Sequence, residues 1–155
     1  MKHTLLIITA LMLVVGCGSS KEELIESRYD SGQLMIRGYM KDGEYVGKWT
    51  QWYENGLKWM EYSYKNGKRD GKWTEWHENG QKKREETYKN GKRDGKWTGW
   101  YENGQKRYEE TYKDGEPDRK WILWYDNGQK KQEGTYKDGE LNGEWTWWYA
   151  NGQKM

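Results

Sequence analysis

Phenylalanine is absent from this 155-residue chain, and proline and cysteine occur once each. A lone cysteine excludes an internal disulfide. Aliphatic side chains are scarce: between Tyr29 and Tyr149 the only Leu, Ile and Val are Leu34, Ile36, Val46, Leu57, Ile122, Leu123 and Leu141. That is too few for a conventional globular core. The formal charge of +2 lacks the basic excess of a nucleic-acid binder. The longest apolar run, residues 5–15 (LLIITALMLVV), is well short of the roughly 20 residues that span a bilayer.

What is abundant is aromatic: 12 Trp and 13 Tyr, all between Tyr29 and Tyr149. High charge with few aliphatics often marks disorder. Here each Trp or Tyr can bury roughly 150–250 Å², which replaces much of the missing driving force. A sheet stabilised by aromatic stacking fits this composition.

The N-terminus reads as an export signal. Met1-Lys2-His3 is a short basic segment ahead of the apolar run, and the run ends Val14-Val15-Gly16-Cys17. This resembles the bacterial lipobox, which implies cleavage before Cys17 and acylation of that residue. Residues 1–16 are then a lipoprotein signal peptide and residues 17–27 a lipidated Cys and tether. The expected location is the bacterial cell envelope, anchored to the membrane through lipid. Gly18, in place of the Asp that retains similar lipoproteins at the inner membrane, favours the outer membrane where one exists.

Residues 28–155 are repetitive. Trp49, Trp73, Trp97, Trp121 and Trp145 recur every 24 residues, as do Trp52, Trp76, Trp100, Trp124 and Trp148. Asn-Gly pairs at 55–56, 79–80, 103–104, 127–128 and 151–152 keep the period, and so do Asn/Asp-Gly pairs at 42–43, 66–67, 90–91, 114–115 and 138–139. Such pairs are strong hairpin signals, because both central residues of a type I′ turn need positive φ. Two turns per repeat leave no room for a helix. The expectation is all-β: an elongated, single-layer antiparallel meander of about five repeats with two strands each.

Two-residue turns at 79–80 and 90–91 would set Trp73 opposite Glu86, Trp76 opposite Lys83, and Tyr88 opposite Arg93. Alternation then puts Trp73, His77, Arg84, Glu86, Tyr88, Trp97, Tyr101 and Tyr112 on one face, and Thr74, Trp76, Lys83, Glu85, Thr87, Thr98 and Trp100 on the other. Gly47, Gly71, Gly95 and Gly143 are expected to permit bulges, which would disturb this sorting. Arg119 stands in that glycine slot after Pro117, so the fourth unit should be distorted.

The pattern G-K-W-T-x-W-Y-E-N-G-Q-K-x-x-E-x-T-Y-K-N-G-K-x-x-G resembles the bacterial variant of the MORN repeat, carried by YwqK-type antitoxin-like proteins. The resemblance implies a non-catalytic scaffold for protein–protein interaction.

Enzyme constellations are missing. His77 occupies a slot otherwise filled by Tyr53, Tyr101, Tyr125 and Tyr149, no serine has an available His and acid partner, and no spacing suits a metal. Adjacent carboxylates such as Glu85-Glu86 point to opposite faces. The reading is no catalytic residue, no metal and no cofactor. Two binding surfaces stand out. One is the aromatic row Trp73, Tyr88, Trp97, Tyr101, Trp121, Tyr125 and Trp145, on which a glycan or peptidoglycan sugar can stack. The other is the basic edge Lys65, Lys68, Arg69, Lys89, Lys92 and Arg93, suited to phospholipid headgroups. The strand from Glu144 to Tyr149 lacks most of its pattern partner after Asn151-Gly152, so it is expected to pair with a protein partner or a second copy.

Overall fold

The computed structural model describes residues 21–155. Cys17 and the signal-peptide reading of residues 1–16 lie outside the described residues. The remainder is one open antiparallel sheet of twelve strands: β1 (Glu22–Arg28), β2 (Leu34–Lys41), β3 (Glu44–Trp52), β4 (Lys58–Lys65), β5 (Lys68–Trp76), β6 (Lys82–Lys89), β7 (Lys92–Arg93), β8 (Gly95–Trp100), β9 (Lys106–Lys113), β10 (Glu116–Trp124), β11 (Lys130–Lys137) and β12 (Glu140–Trp147). Spatial order follows chain order; β7 and β8 are two pieces of one strand, interrupted at Asp94, and both pair with β6. The meander expected from the turn signals is the observed fold.

The array starts earlier than the repeat pattern does. Residues 22–27, expected to be tether, belong to β1, which pairs with β2 from Glu22↔Lys41 to Arg28↔Leu34. Leu24 and Ile25 give this segment β-compatible side chains, and the open edge of β2 supplies its hydrogen bonds.

The two turn families differ. Asp42, Asn66, Asn90, Asp114 and Asp138 all have φ near 50°, each followed by a glycine with positive φ. These are the expected type I′ turns. At the Asn-Gly pairs of the other family only the glycine is left-handed, as in Gly80 with φ 82°. There His77 N–H donates to Gln81 O and Gly80 N–H to His77 O, a three-residue loop of the type I plus bulge kind rather than a two-residue turn. The extra residue shifts the register between Glu75 and Trp76, so Trp76 pairs with Lys82 and not Lys83. Trp73↔Glu86 and Tyr88↔Arg93 pair as expected.

A second irregularity recurs where the glycines predicted it. Gly47, Gly71, Gly95 and Gly143 have φ between 63° and 92°, and the register shifts beside them on the preceding strand in β2–β3, β4–β5 and β11–β12. Arg119 adopts the same conformation, φ 63°, without the freedom of glycine. The β9–β10 pairing jumps there from Pro117 to Trp121.

The main core cluster lies on one face of the sheet, and Ile122, 3% exposed, is buried outside it. The cluster consists of Trp49, Tyr62, Trp73, Tyr88, Trp97 and Tyr112, with Ile25, Ile36, Met40, Met60, Tyr64 and Trp121 packed against it. Trp49 is only 2% exposed, although one layer of backbone supports it. Its indole lies across Gly38, where any Cβ would collide with the ring, and Trp145 lies across Gly134 in the same way.

Candidate functional site

The expected aromatic row is a packed ladder. Ring centroids are 4.5 Å apart for Tyr62–Trp73, 5.8 Å for Trp73–Tyr88, 5.3 Å for Tyr88–Trp97 and 5.2 Å for Trp97–Tyr112. After the Arg119 irregularity it resumes as Trp121–Tyr136–Trp145. Trp73, Tyr88 and Trp97 are each less than a tenth exposed, so they form structural core and offer no flat platform to a sugar. Trp121 and Trp145 are half-buried. Tyr101 and Tyr125 stand apart from the ladder: their hydroxyls donate to the carbonyls of Trp124 and Trp148, tying each turn to the next repeat.

Two residues of the expected basic edge lie over the rings of this core while remaining exposed. The Arg69 guanidinium sits 4.1 Å over the Trp73 ring and donates to the Tyr88 hydroxyl, and Arg93 repeats this over Trp97 and Tyr112. Those hydroxyls in turn donate to Glu86 and Glu110. Burial pushes the Glu110 carboxyl above the ordinary range, and the Tyr112 hydrogen bond and the Arg93 charge only partly oppose it. Lys65, Lys68, Lys89 and Lys92 remain exposed at the type I′ turns.

The second face carries a ladder that the sequence reading missed. Glu61, Glu85, Glu109 and Glu133 each bridge two lysines, for instance Lys72 and Lys82 on Glu85. In the same rows Lys58, Lys82, Lys106 and Lys130 lie 5.5–5.7 Å over Trp76, Trp100, Trp124 and Trp148. The signal was present in the period, since the lysines and glutamates recur every 24 residues as the tryptophans do.

At one end of the sheet β12 hydrogen-bonds β11 on one side. On its other side, among the described residues, only the Trp148–Lys154 bridge and the bond from Met155 N–H to Trp147 O occur. Leu141 (66% exposed), Trp147, Tyr149 and Met155 lie open around this edge. The opposite edge, β1, presents Glu22, Glu23 and Glu26 beside Leu24.

A cleft of about 480 Å³ opens where one repeat departs from its siblings. It is lined by Glu75, His77, Lys83, Arg84, Trp100, Tyr101, Glu102, Arg107 and Tyr108. In other repeats a tyrosine at the His77 position donates to the tryptophan carbonyl 23 residues on, as Tyr53 does to Trp76 at 2.7 Å. The imidazole does not make that bond, and its Nε2 is buried without a hydrogen-bond partner. The neighbouring lock, from Asn79 Nδ2 to Glu102 O, is long at 3.5 Å, against 2.7 Å for Asn103 to Asp126. Glu75 receives Lys83 at 2.9 Å and Arg84 at 2.5 Å. Burial raises its carboxyl, but these two cations together outweigh that and hold it below the ordinary value. Arg84 also lies 3.2 Å from Glu86 Oε1, a charge contact without hydrogen-bond geometry. Among the described residues no three His, Cys, Asp or Glu gather as a metal site.

Comparison with curated proteins finds none that matches the chain. A family model described as the MORN repeat variant matches residues 45–66, 69–90, 93–114, 120–138 and 141–155, well over half of the chain. With the 24-residue hairpin period and the single open sheet, this places the protein in the MORN repeat variant family.

Proposed function

We propose that this protein is a non-catalytic scaffold, lipid-anchored through Cys17 at a bacterial cell envelope, that captures a protein partner by strand addition along β12. The observation that carries the reading is the β12 edge: among the described residues its backbone from Glu140 to Thr146 pairs on one side only, beside exposed Leu141, Trp147 and Tyr149. An open edge of this kind is a template for another strand, and backbone hydrogen bonds supply the affinity. Glu140 and Glu144 give the edge negative charge. The equally acidic β1 edge disfavours head-to-tail stacking of copies, so the occupant is a strand of a different protein with basic side chains. This is the partner-binding role implied by antitoxin-like relatives of the repeat.

A photo-crosslinker at Leu141 or Trp147 in the membrane-bound protein tests it. The expected product is a protein adduct of a basic strand, lost when Thr146→Pro disrupts the edge. Adducts only to a second copy, to lipid or to glycan overturn the reading. The anchor is tested separately. Cys17→Ala is expected to release the protein from membranes or leave it unprocessed, and an unmodified Cys17 in the mature wild type refutes lipidation. A headgroup contact at Lys65, Lys68, Lys89 and Lys92 is a second reading, favoured by their exposure in two adjacent turns.

A further inference from the structure

The cleft beside His77 has a composition unlike the rest of the array. Its three basic side chains, Lys83, Arg84 and Arg107, face Glu75 and Glu102 in the lining, and Glu86 against Arg84 balances the count. Lys83 and Arg84 are committed to Glu75, and Arg84 also to Glu86. Glu102 stands at the rim, its side chain 83% exposed and 3.9 Å from His77 Nδ1. Arg107 is left over: among the described residues it makes no ion pair, and its guanidinium lies 5.8 Å from the Tyr101 ring centroid. The Tyr108 hydroxyl likewise makes no hydrogen bond to another described residue, and the Tyr108 ring lies against Gly99, where any Cβ would strike it. The cleft therefore holds an unpaired planar cation, a free phenol donor and the aromatic side chains Tyr101 and Tyr108, in a volume within the usual range for small-ligand sites.

We propose that this cleft binds a small ring-borne carboxylate, its anionic group on Arg107 and Tyr108 and its flat ring against Tyr101. A guanidinium matches a carboxylate with two parallel hydrogen bonds. Arg107 is the one cation of the lining without a carboxylate partner among the described residues, and a single guanidinium matches a monoanion better than a phosphate dianion. The aromatic walls suit either an aromatic acid or the flat face of a uronic-acid sugar. The site exists because His77 is too short to fill the place that tyrosine fills in the other repeats.

The test is calorimetric titration of the full chain in detergent micelles with sodium glucuronate and with sodium 4-hydroxybenzoate. Glucose, phenol and inorganic phosphate are the controls. Saturable binding of one acid identifies the source as sugar or aromatic, and binding of either supports the proposal. His77 imidazole resonances, assigned by their loss in His77→Tyr, are expected to shift with the bound acid. Arg107→Ala is expected to weaken binding by roughly tenfold or more, as loss of a charged hydrogen-bond partner does. His77→Tyr, which restores the residue of the sibling repeats and so keeps the fold, is expected to abolish binding by filling the cleft. No binding of either acid at millimolar concentration overturns the proposal, as does an equal response to glucose, phenol or phosphate. Undiminished binding by Arg107→Ala or His77→Tyr does the same.

Discussion

Individual carboxylates in this sheet titrate in opposite senses, because the same residue type is placed on either side of the backbone. On the solvated face Glu85 sits between Lys82 and Lys72, which hold its carboxyl below the ordinary value, and Glu133 is held down likewise by Lys130 and Lys120. On the core face burial holds Glu110 above it. Groups with lowered folded values contribute stability that is present above about pH 4.5 and is lost as pH falls below it. Glu110 acts the other way: the folded protein binds its proton more tightly than the unfolded chain does, so stability falls as pH rises through the window just above 4.5. Glu110→Gln, which keeps an acceptor for the Tyr112 hydroxyl, is therefore expected to be more stable than wild type at pH 7. The advantage should shrink towards pH 4, as measured by denaturant unfolding at each pH. A constant difference across the range would refute the assignment.

At the scale of the strand, the bulge before each core tryptophan is what turns the indole onto the sheet. Glycine fills that place in β3, β5, β8 and β12, and Arg119 fills it in β10 with φ 63°. A left-handed non-glycine residue costs roughly 1–2 kcal/mol. The Arg119 side chain returns little, since its contact with Asp118 is 3.5 Å long and the side chain is 83% exposed. Arg119→Gly is expected to stabilise the protein by about 1 kcal/mol and to raise the thermal midpoint. A lower midpoint would mean that the β10 irregularity, where the aromatic ladder breaks between Tyr112 and Trp121, depends on Arg119 for support.

Across the whole molecule stability runs along one dimension. Each repeat touches only its neighbours, through the ladder of rings on one face, the lysine–glutamate–lysine bridges on the other, and the tyrosine and asparagine locks 23 residues apart at the turns. Coupling of this kind behaves as a sum of nearest-neighbour interfaces. Trp97 is a central link, 5% exposed and in contact with both Tyr88 and Tyr112. Trp97→Ala is expected to cost about 3–5 kcal/mol and to broaden the unfolding transition by separating the two halves of the array. Thr98→Ala, equally buried but on the other face, removes far fewer atoms and is expected to cost less than half as much. Calorimetry of both variants decides this, and similar costs would refute the ladder as the main axis of stability.

The sequence by itself determined the hairpin period, the all-β class and the pairs Trp73↔Glu86 and Tyr88↔Arg93, because turn chemistry and strand alternation are local. It also marked Gly47, Gly71, Gly95 and Gly143 as bulges and Arg119 as the place of distortion. Only the tertiary structure decided the rest. Asn79-Gly80 reads like Asn90-Gly91, yet one ends a three-residue loop and the other forms a two-residue turn. In the three-residue loops the Asn side chain accepts from the N–H two residues on, as Asn79 does from Gln81, and Asn151 makes the same loop without a bond to a further repeat. Arg69 and Arg93 appeared as free surface charge because the sequence shows their spacing but not the rings beneath them. The His77 cleft was invisible as a cavity for the same reason: the substitution was plain, but its effect depends on how far a side chain must reach to an adjacent repeat, and only the twist and spacing of the assembled sheet set that distance.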